Sequence, residues 1–148
     1  MVNQCWWLGY ATTTKIICLN LFSGGGGNFQ IDFSFHIMFA DQNTPRSPIE
    51  RLPNYSTVDC ETGYNEIPLP STGAIEGSTD YTCDWQNGDC HMIVVDNYRG
   101  LIFETYQTTV TNGKVQTTCL VVWDMCTIYP TNGRGEQCTS VDAAGYVI

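Results

Sequence analysis

Eight cysteines constrain this 148-residue chain more than any other feature of its sequence. Their number is even, and no Cys-x-x-Cys pair is present to indicate a redox motif or half of a zinc site. We therefore predict disulfides formed in an oxidising compartment, outside the cell or at the cell surface. The cysteines are Cys5, Cys18, Cys60, Cys83, Cys90, Cys119, Cys126 and Cys138.

The spacing of the cysteines suggests part of their pairing. Cys83 lies close to Cys90 along the chain, and Cys126 lies close to Cys138. Closing a short loop costs little chain entropy, so we expect these two pairs. The pairing of the other four cysteines stays open, because sequence alone does not determine connectivity.

The low fraction of charged residues and their acidic excess make some classes of binding partner unfavourable for this chain. Only 14% of the residues are charged, and fifteen acidic against six basic residues give a net charge of −9. Nucleic acids and anionic membranes are poor partners for such a chain, because phosphate groups require clustered Lys or Arg. The basic residues are scattered along the sequence: Lys15, Arg46, Arg51, Arg99, Lys114 and Arg134.

Targeting signals are not evident. The segment from Met1 to Cys5 lacks the basic start and apolar run of a signal peptide. No apolar stretch reaches the roughly 18 residues that span a bilayer. If the protein is secreted, we expect the chain to be a processed form or part of a larger protein.

The first forty residues predict strands rather than helices. Phe29 to Phe39 alternates apolar and polar residues, the pattern of a strand with one buried face. On this interpretation His36 lies on the polar, solvated face. Thr14 to Phe22 reads as a preceding strand, joined to the next by the flexible run Gly24 to Gly27.

Residues 41–90 differ in character, since prolines interrupt pairing and Gly, Asn, Asp and Ser are frequent. We predict a long, ordered excursion tied by disulfides. Asn54 begins an N-glycosylation tripeptide within it. The acidic stretch Asp80 to Asp89, which includes Asp84 and Asn87, offers oxygen ligands for calcium, although its order does not match an EF-hand.

Residues 91–123 give the clearest strand signals. Two turns, Asn97 to Gly100 and the Asn112-Gly113 pair, separate three predicted strands and so predict a β-meander. The predicted strands are His91 to Asp96, Leu101 to Val110 and Val115 to Trp123. Both faces of this meander are apolar, so we expect the sheet to be covered on both sides. We therefore expect one all-β domain over residues 1–148, a sandwich or jelly-roll-like fold with the meander in its core.

The turns also predict the register of the meander. They place Glu104 between Ile93 and Val121 on an apolar face of the central strand, with His91 and Tyr106 beside it. A carboxyl group among aliphatic side chains acquires a raised pKa, which suits a general acid assisted by His91. The favoured alternative is a buried Glu that only stabilises the fold through hydrogen bonds.

A second pair of carboxylates follows from the same register. Asp96 and Asp124 flank Leu101 on the opposite face, two strand spacings apart, roughly 10 Å. That separation is near the upper limit for the paired carboxylates of an inverting glycosidase. The simpler interpretation is that both are solvent-facing residues at strand ends.

Several motifs together resemble an uncharacterised family of secreted bacterial proteins. The motifs are Ile67-Pro68-Leu69-Pro70, Ala74-Ile75-Glu76-Gly77, His91-Met92-Ile93-Val94-Val95-Asp96, Ile102-Phe103-Glu104-Thr105-Tyr106, Val122-Trp123-Asp124 and Cys138-Thr139-Ser140-Val141-Asp142-Ala143-Ala144-Gly145. The resemblance implies secretion and no particular activity. The chain departs from the family pattern in having Cys138 where the family has Trp, and in ending soon after Gly145.

Two classes of function fit these features. The first, which we favour, is a non-enzymatic extracellular structural or surface protein, such as a filament, adhesin or matrix subunit that self-associates through β-strand contacts. The second is a secreted carbohydrate-binding module or glycoside hydrolase that uses Glu104 with Asp96 or Asp124. A sugar-stacking surface for the second class would come from Trp6, Trp7 and Trp85.

Overall fold

The protein folds into β-strands. The structure, a computed structural model, describes residues 19–20, 30–31, 36–57 and 60–127, and these contain strands and no helix. The all-β prediction is therefore confirmed. The strands are β1 Leu19–Asn20, β2 Gln30–Ile31, β3 Ile37–Ala40, β4 Arg46–Arg51, β5 Glu66–Pro68, β6 Met92–Asp96, β7 Leu101–Tyr106, β8 Thr109–Thr111, β9 Lys114–Thr117 and β10 Cys119–Asp124.

Two four-stranded sheets make up most of the described fold. The first sheet has the order β10-β7-β6-β3, and the second has the order β5-β4-β9-β8. Both sheets are mixed, because β3 runs parallel to β6 and β4 runs parallel to β9 while the other pairs are antiparallel. Strands β1 and β2 form a separate antiparallel pair.

One long hairpin supplies strands to both sheets. Its register is constant, from Leu101 opposite Asp124 at the base to Thr111 opposite Lys114 at the tip. The Asn-Gly tip has positive φ at both residues, as a two-residue primed turn requires. The base of the hairpin, β7 with β10, lies in the first sheet, and the tip, β8 with β9, lies in the second.

The hairpin changes sheet at a sharp bend. Gln107 has φ 47° and separates β7 from β8, so the predicted single strand from Leu101 to Val110 is wrong. The strand predicted from Val115 to Trp123 is likewise divided, at Thr118. The predicted register of the meander is confirmed, because the bend displaces both arms of the hairpin together and leaves their pairing unchanged.

Buried threonine hydroxyls fill the inside of this bend. Thr108 Oγ1 lies 2.7 Å from Thr105 Oγ1 and 3.1 Å from Thr117 Oγ1. The Thr117 hydroxyl in turn lies 2.8 Å from the Tyr106 carbonyl oxygen and 2.7 Å from that of Cys119. Because the ladder is interrupted here, these hydroxyls provide hydrogen bonds that backbone groups would otherwise lack.

The main core lies between the two sheets. The inner face of the first sheet presents large apolar side chains, and Ile67 of β5 and Val115 of β9 meet them from the second sheet. Tyr64 packs edge-on against Phe103, with ring centroids 5.8 Å apart. The first-sheet side chains in this core are Met38, Ala40, Met92, Val94, Phe103, Leu120 and Val122.

The first sheet is covered on its outer face as well. Val121 and Trp123 form a second buried cluster with Cys60 and Cys119, and Tyr55 packs against it. The prediction that both faces of the meander are apolar and covered is confirmed. A polar side chain on this outer face is therefore removed from water, which bears directly on Glu104.

Residues 41–90 are more regular than predicted. They contain β4 and β5, and β4 is an interior strand of the second sheet, so a pure loop excursion is wrong. This strand was not predicted because it contains Pro48, which has no backbone N–H to donate to a ladder. Pro48 pairs with Glu66 of β5, and the parallel pairing with β9 begins one residue later, at Ile49. The missing N–H of Pro48 therefore interrupts neither ladder.

The buried face of β3 is the opposite of the predicted one. Met38 and Ala40 are buried, whereas Phe39 is 62% exposed and His36 is exposed. The parallel pairing with β6 sets this orientation, because it places Met38 beside Val94 on the core face. The exposure of His36 agrees with the prediction. Most of the segment predicted before β3 lies outside the described residues.

Two disulfides link described cysteines. Cys83 pairs with Cys90 as predicted, and Cys60 pairs with Cys119 across a separation of 59 residues. Loop-closure entropy assigns about 4 kcal/mol of stabilisation to the longer link and about 2 kcal/mol to the shorter one. Cys126 is disulfide-bonded too. The predicted partner Cys138, with Cys5 and Cys18, lies outside the described residues.

The threonine bend can be tested with Thr117→Val, which keeps the shape of the side chain and removes its hydroxyl. We expect a loss of about 1–3 kcal/mol in the free energy of unfolding, because buried carbonyls lose a donor. Thr111→Val, at the exposed end of β8, is the control and should change stability little. Denaturant unfolding without reductant measures both. Equal effects would contradict a special role for the bend.

Candidate functional site

Glu104 lies at the centre of the covered outer face of the first sheet. It pairs with Ile93 of β6 and Val121 of β10, as predicted, and its exposed fraction is 0%. The indole Nε1–H of Trp123 donates a hydrogen bond of 2.9 Å to Glu104 Oε2. Trp123 is two residues from Val121 on the same strand and therefore reaches the carboxylate along one face of β10.

His91 is bound to a different carboxylate, that of Glu76. His91 Nδ1 lies 2.7 Å from Glu76 Oε2, and the His91 backbone N–H donates to the same oxygen at 3.1 Å. The Glu76 backbone N–H donates to the His91 carbonyl at 2.9 Å. Three hydrogen bonds thus hold His91 against Glu76, one of them through the imidazole. The predicted sharing of a Glu104 proton by His91 therefore gains no support from this geometry.

Tyr106 lies beside His91, as the register predicts. Their ring centroids are 5.1 Å apart, and the Tyr106 hydroxyl donates to Asp89 Oδ1 at 3.3 Å. A chain of polar contacts thus runs from Glu76 through His91 and Tyr106 to Asp89. Sequence reasoning missed Glu76 because it comes 15 residues before His91, without a local motif that would indicate their contact.

Asp96 organises the turn between β6 and β7. Its carboxylate is completely buried and accepts backbone hydrogen bonds from Tyr98 and Arg99, at 3.1 Å and 3.0 Å. The Arg99 guanidinium completes an ion pair at 2.9 Å. Asp96 is therefore not the solvent-facing residue that was predicted. Its carboxylate oxygens are engaged by the turn, which weakens the case for a catalytic role.

Asp124 is exposed, as predicted, at the end of β10. It lies opposite Leu101 in the ladder and accepts a hydrogen bond of 2.8 Å from the Cys126 backbone N–H. The two proposed glycosidase carboxylates therefore differ, since Asp96 is buried in a turn while Asp124 faces solvent. This asymmetry gives no matched pair across a substrate cleft.

The acidic stretch from Asp80 to Asp89 divides into two parts. Asp80 accepts hydrogen bonds from Ser78 and from the backbone and hydroxyl of Thr82. Asp84 accepts one from the Asn87 amide at 2.8 Å. The calcium prediction finds no support here, because no cluster of three or more metal-ligating side chains occurs among the described residues.

A surface cavity of about 370 Å³ lies beside the second part of this stretch. Its walls combine three carboxylates with a disulfide and contain no basic side chain among the described residues that line it. The lining residues are Glu76, Gly77, Cys83, Asp84, Asn87, Gly88, Asp89 and Cys90. Glu76, which contacts His91, is thus part of the cavity wall.

Other predicted site residues are separate from this cavity. Asn54 is exposed in a turn, where a glycan would be accommodated, and the glycosylation prediction stays a prediction. Trp85 packs against the main core rather than forming an open stacking surface. Trp6 and Trp7 lie outside the described residues.

Basic residues in the described part of the chain are engaged by neighbouring acceptors. Arg46 pairs with Glu66, and Lys114 lies 3.3 Å from Glu50. Hydrogen bonds from the Gln116 amide and from Lys114 lower the pKa of Glu50. The expectation that nucleic acids are not partners stays a prediction. A helix capable of crossing a bilayer is not found among the described residues.

Comparisons with protein-family models, with curated proteins and with solved structures found no match in any of the three. The geometry of the chain itself therefore carries the functional argument.

The buried carboxylate can be tested by comparing Glu104→Leu with Glu104→Gln. Leucine removes the acceptor for the Trp123 indole, whereas glutamine keeps an oxygen of similar position. We expect the Leu variant to be less stable than the Gln variant by about 1–3 kcal/mol. Denaturant unfolding monitored by Trp fluorescence provides the measurement, and equal stabilities would contradict a structural role for the hydrogen bond.

The Asp80 turn gives a pH-dependent signature. Hydrogen bonds from the Thr82 hydroxyl and backbone, and from Ser78, hold the Asp80 pKa below its ordinary value of 3.8. A lowered pKa means that the turn is stabilised above pH 3.8 and loses this contribution only as the pH falls through the lower folded value.

Thr82→Val should raise the Asp80 pKa toward 3.8, since the largest contribution to the shift is removed. Carboxyl NMR titration of Asp80 in the two proteins measures the change. The same pKa in both would contradict this assignment.

Proposed function

We propose that this protein is an extracellular structural or surface protein, without catalytic activity, that self-associates through the β3 edge of its first sheet. The observation that carries the proposal is the edge strand β3, which exposes Phe39 and contains no charged residue. Edge strands with apolar, uncharged sequences accept strands from other chains.

The cross-linked core supports an extracellular location. Cys60–Cys119 and Cys83–Cys90 join distant and local parts of the described fold, and such bonds persist in oxidising surroundings. The low fraction of charged residues, 14%, fits a protein that packs into an assembly better than one that must stay dispersed at high concentration.

The two edges of the first sheet differ in a way that favours β3 as the contact. At the opposite edge, Glu61 and Ser56 donate backbone hydrogen bonds to Leu120 and Thr118, and the Cys60–Cys119 disulfide fixes that segment in place. Beside β3, the described residues provide no equivalent cover. The second sheet protects its own edge at β5 with Glu66 and Pro68.

A second copy of the same chain is the partner that β3 fits best. Antiparallel self-pairing about a two-fold axis at Met38 would place Phe39 of one copy opposite Ile37 of the other. Both side chains lie on the outer face of the sheet, so their contact would remove apolar surface from water. Each copy would contribute the same residues, as an isologous interface requires.

The carbohydrate-directed alternative has weaker support. Glu104 is fully buried against Trp123, and Asp96 is engaged by its turn. Neither carboxylate lines the surface cavity beside Glu76 and Asp89. A hydrolysis or glycan-binding assay that compares the native protein with Glu104→Gln tests this alternative, and activity lost in the variant would support it over the proposal made here.

The proposed self-association predicts that Phe39→Lys abolishes assembly. A charge on the exposed edge strand costs desolvation in the paired state and introduces like-charge repulsion across the two-fold axis. We expect the native protein to show a concentration-dependent monomer–dimer equilibrium in sedimentation velocity, because a two-fold contact through β3 closes on itself, and we expect the variant to remain a monomer.

Thr111→Lys is the matched control, because it adds the same charge to an exposed position on β8, the edge strand of the other sheet. It should assemble like the native protein. A native protein that remains monomeric at high concentration would contradict the proposal, as would unchanged assembly of Phe39→Lys.

A further inference from the structure

The Cys83–Cys90 disulfide forms part of the wall of the surface cavity. Gly88 lies directly against it, and a side-chain Cβ at this position would lie 3.1 Å from Cys90 Sγ and 3.9 Å from Cys83 Sγ. Glycine therefore leaves the sulfur atoms without a covering side chain on this side. Cys83 is only partly buried and lines the cavity, so the cavity is the side from which a small molecule would approach the disulfide.

The Cys60–Cys119 disulfide has the opposite environment. Its cysteines are only 6% and 0% exposed and belong to the buried cluster with Val121 and Trp123. Thiol–disulfide exchange requires a thiolate to reach a sulfur atom along the bond axis. The two disulfides of the described fold therefore differ in access, with one open to the cavity and one enclosed in the protein.

The negative charge of the cavity lining distinguishes incoming thiols by their own charge. Glu76, Asp84 and Asp89 line it, and none of the described lining residues is basic. Carboxylates that line the same cavity as the two cysteines repel an anionic thiol and attract a cationic one, and added salt screens both effects.

We propose that Cys83–Cys90 is a thiol-exchange site, reduced before Cys60–Cys119 and preferentially by cationic thiols. An incoming thiolate attacks Cys83 Sγ, the sulfur–sulfur bond breaks, and Cys90 leaves as a thiolate that takes a proton from water. A second thiolate then attacks the mixed disulfide, forms an external disulfide and releases the Cys83 thiolate. One disulfide gains two electrons, and two external thiols lose them.

Reduction at this site would release a specific loop. Residues 83–90 carry Trp85 onto the main core, and Cys90 has φ 50°, a backbone conformation that non-glycine residues adopt at a cost. Without the cross-link, Cys90 can relax and Trp85 can leave the core. The Cys60–Cys119 bond would keep the two sheets together, so the loop would open while the sandwich persists.

The test is partial reduction of the folded protein with three small thiols: cysteamine, 2-mercaptoethanol and 2-mercaptoethanesulfonate. Free thiols are alkylated at intervals and assigned by peptide mass spectrometry, with rates expressed per thiolate concentration. Cys83 and Cys90 should be alkylated well before Cys60 and Cys119. At low salt the cationic thiol should react roughly tenfold faster than the anionic one, and added salt should reduce this ratio. The rates at which the same three thiols reduce a small uncharged disulfide correct for the intrinsic reactivity of each thiol.

Two variants test the electrostatic part. Asp84→Asn and Asp89→Asn, combined, should bring the cationic and anionic rates closer together, while Asp41→Asn, a remote exposed control, should leave the ratio unchanged. A circular-dichroism spectrum confirms that each variant is folded. Simultaneous reduction of both disulfides, earlier reduction of Cys60–Cys119, or equal rates for the charged thiols at low salt would each overturn the proposal.

Discussion

The bend in the long hairpin is the constraint on which the rest of the structure depends. Residues 101–124 keep one register throughout, yet the turn at Gln107 and Thr118 sends the base of the hairpin into one sheet and its tip into the other. Both layers of the sandwich therefore form together. The buried Thr117 hydroxyl lies within hydrogen-bond distance of two carbonyl oxygens at the bend and can donate its one proton to either, and the Cys60–Cys119 bond links the loop after β4 to β10 beside the bend. Removing either would loosen both sheets, because neither sheet is complete without its half of the hairpin.

This architecture determines the burial and the hydrogen-bond partners of the polar groups in the first sheet. Covering the outer face removes Glu104 from water and gives its carboxylate a partner in Trp123. Asp96 is occupied by the turn, and His91 is held by Glu76. The buried carboxylates that were catalytic candidates, Glu104 and Asp96, thus each have hydrogen-bond partners within the fold. What the molecule offers to its surroundings is instead an apolar strand edge and an acidic cavity that exposes one disulfide.

Sequence reasoning succeeded where local chemistry determines structure. Two turn signals gave the register of the meander, including Glu104 opposite Ile93 and Val121, because strand pairing next to a tight turn follows from the turn itself. The predictions failed where packing between residues distant in the sequence determines the structure. The bend at Gln107 has no sequence signal, β4 was concealed by Pro48, and the buried side of β3 depends on its parallel pairing with a distant strand. The contact of Glu76 with His91 likewise joins residues that are 15 positions apart, so this part of the candidate site could not be predicted from a local pattern.

The proposed function depends on a β-sandwich that is cross-linked by disulfides, and disulfide mapping of the native protein tests this most directly. Non-reducing peptide mapping by mass spectrometry should recover peptides that join Cys60 to Cys119 and Cys83 to Cys90. This result would place the segment after β4 beside β10 and would establish an oxidised core. Free thiols at these four positions, or Cys60 joined to any other cysteine, would contradict the fold and the proposed extracellular function that rests on it.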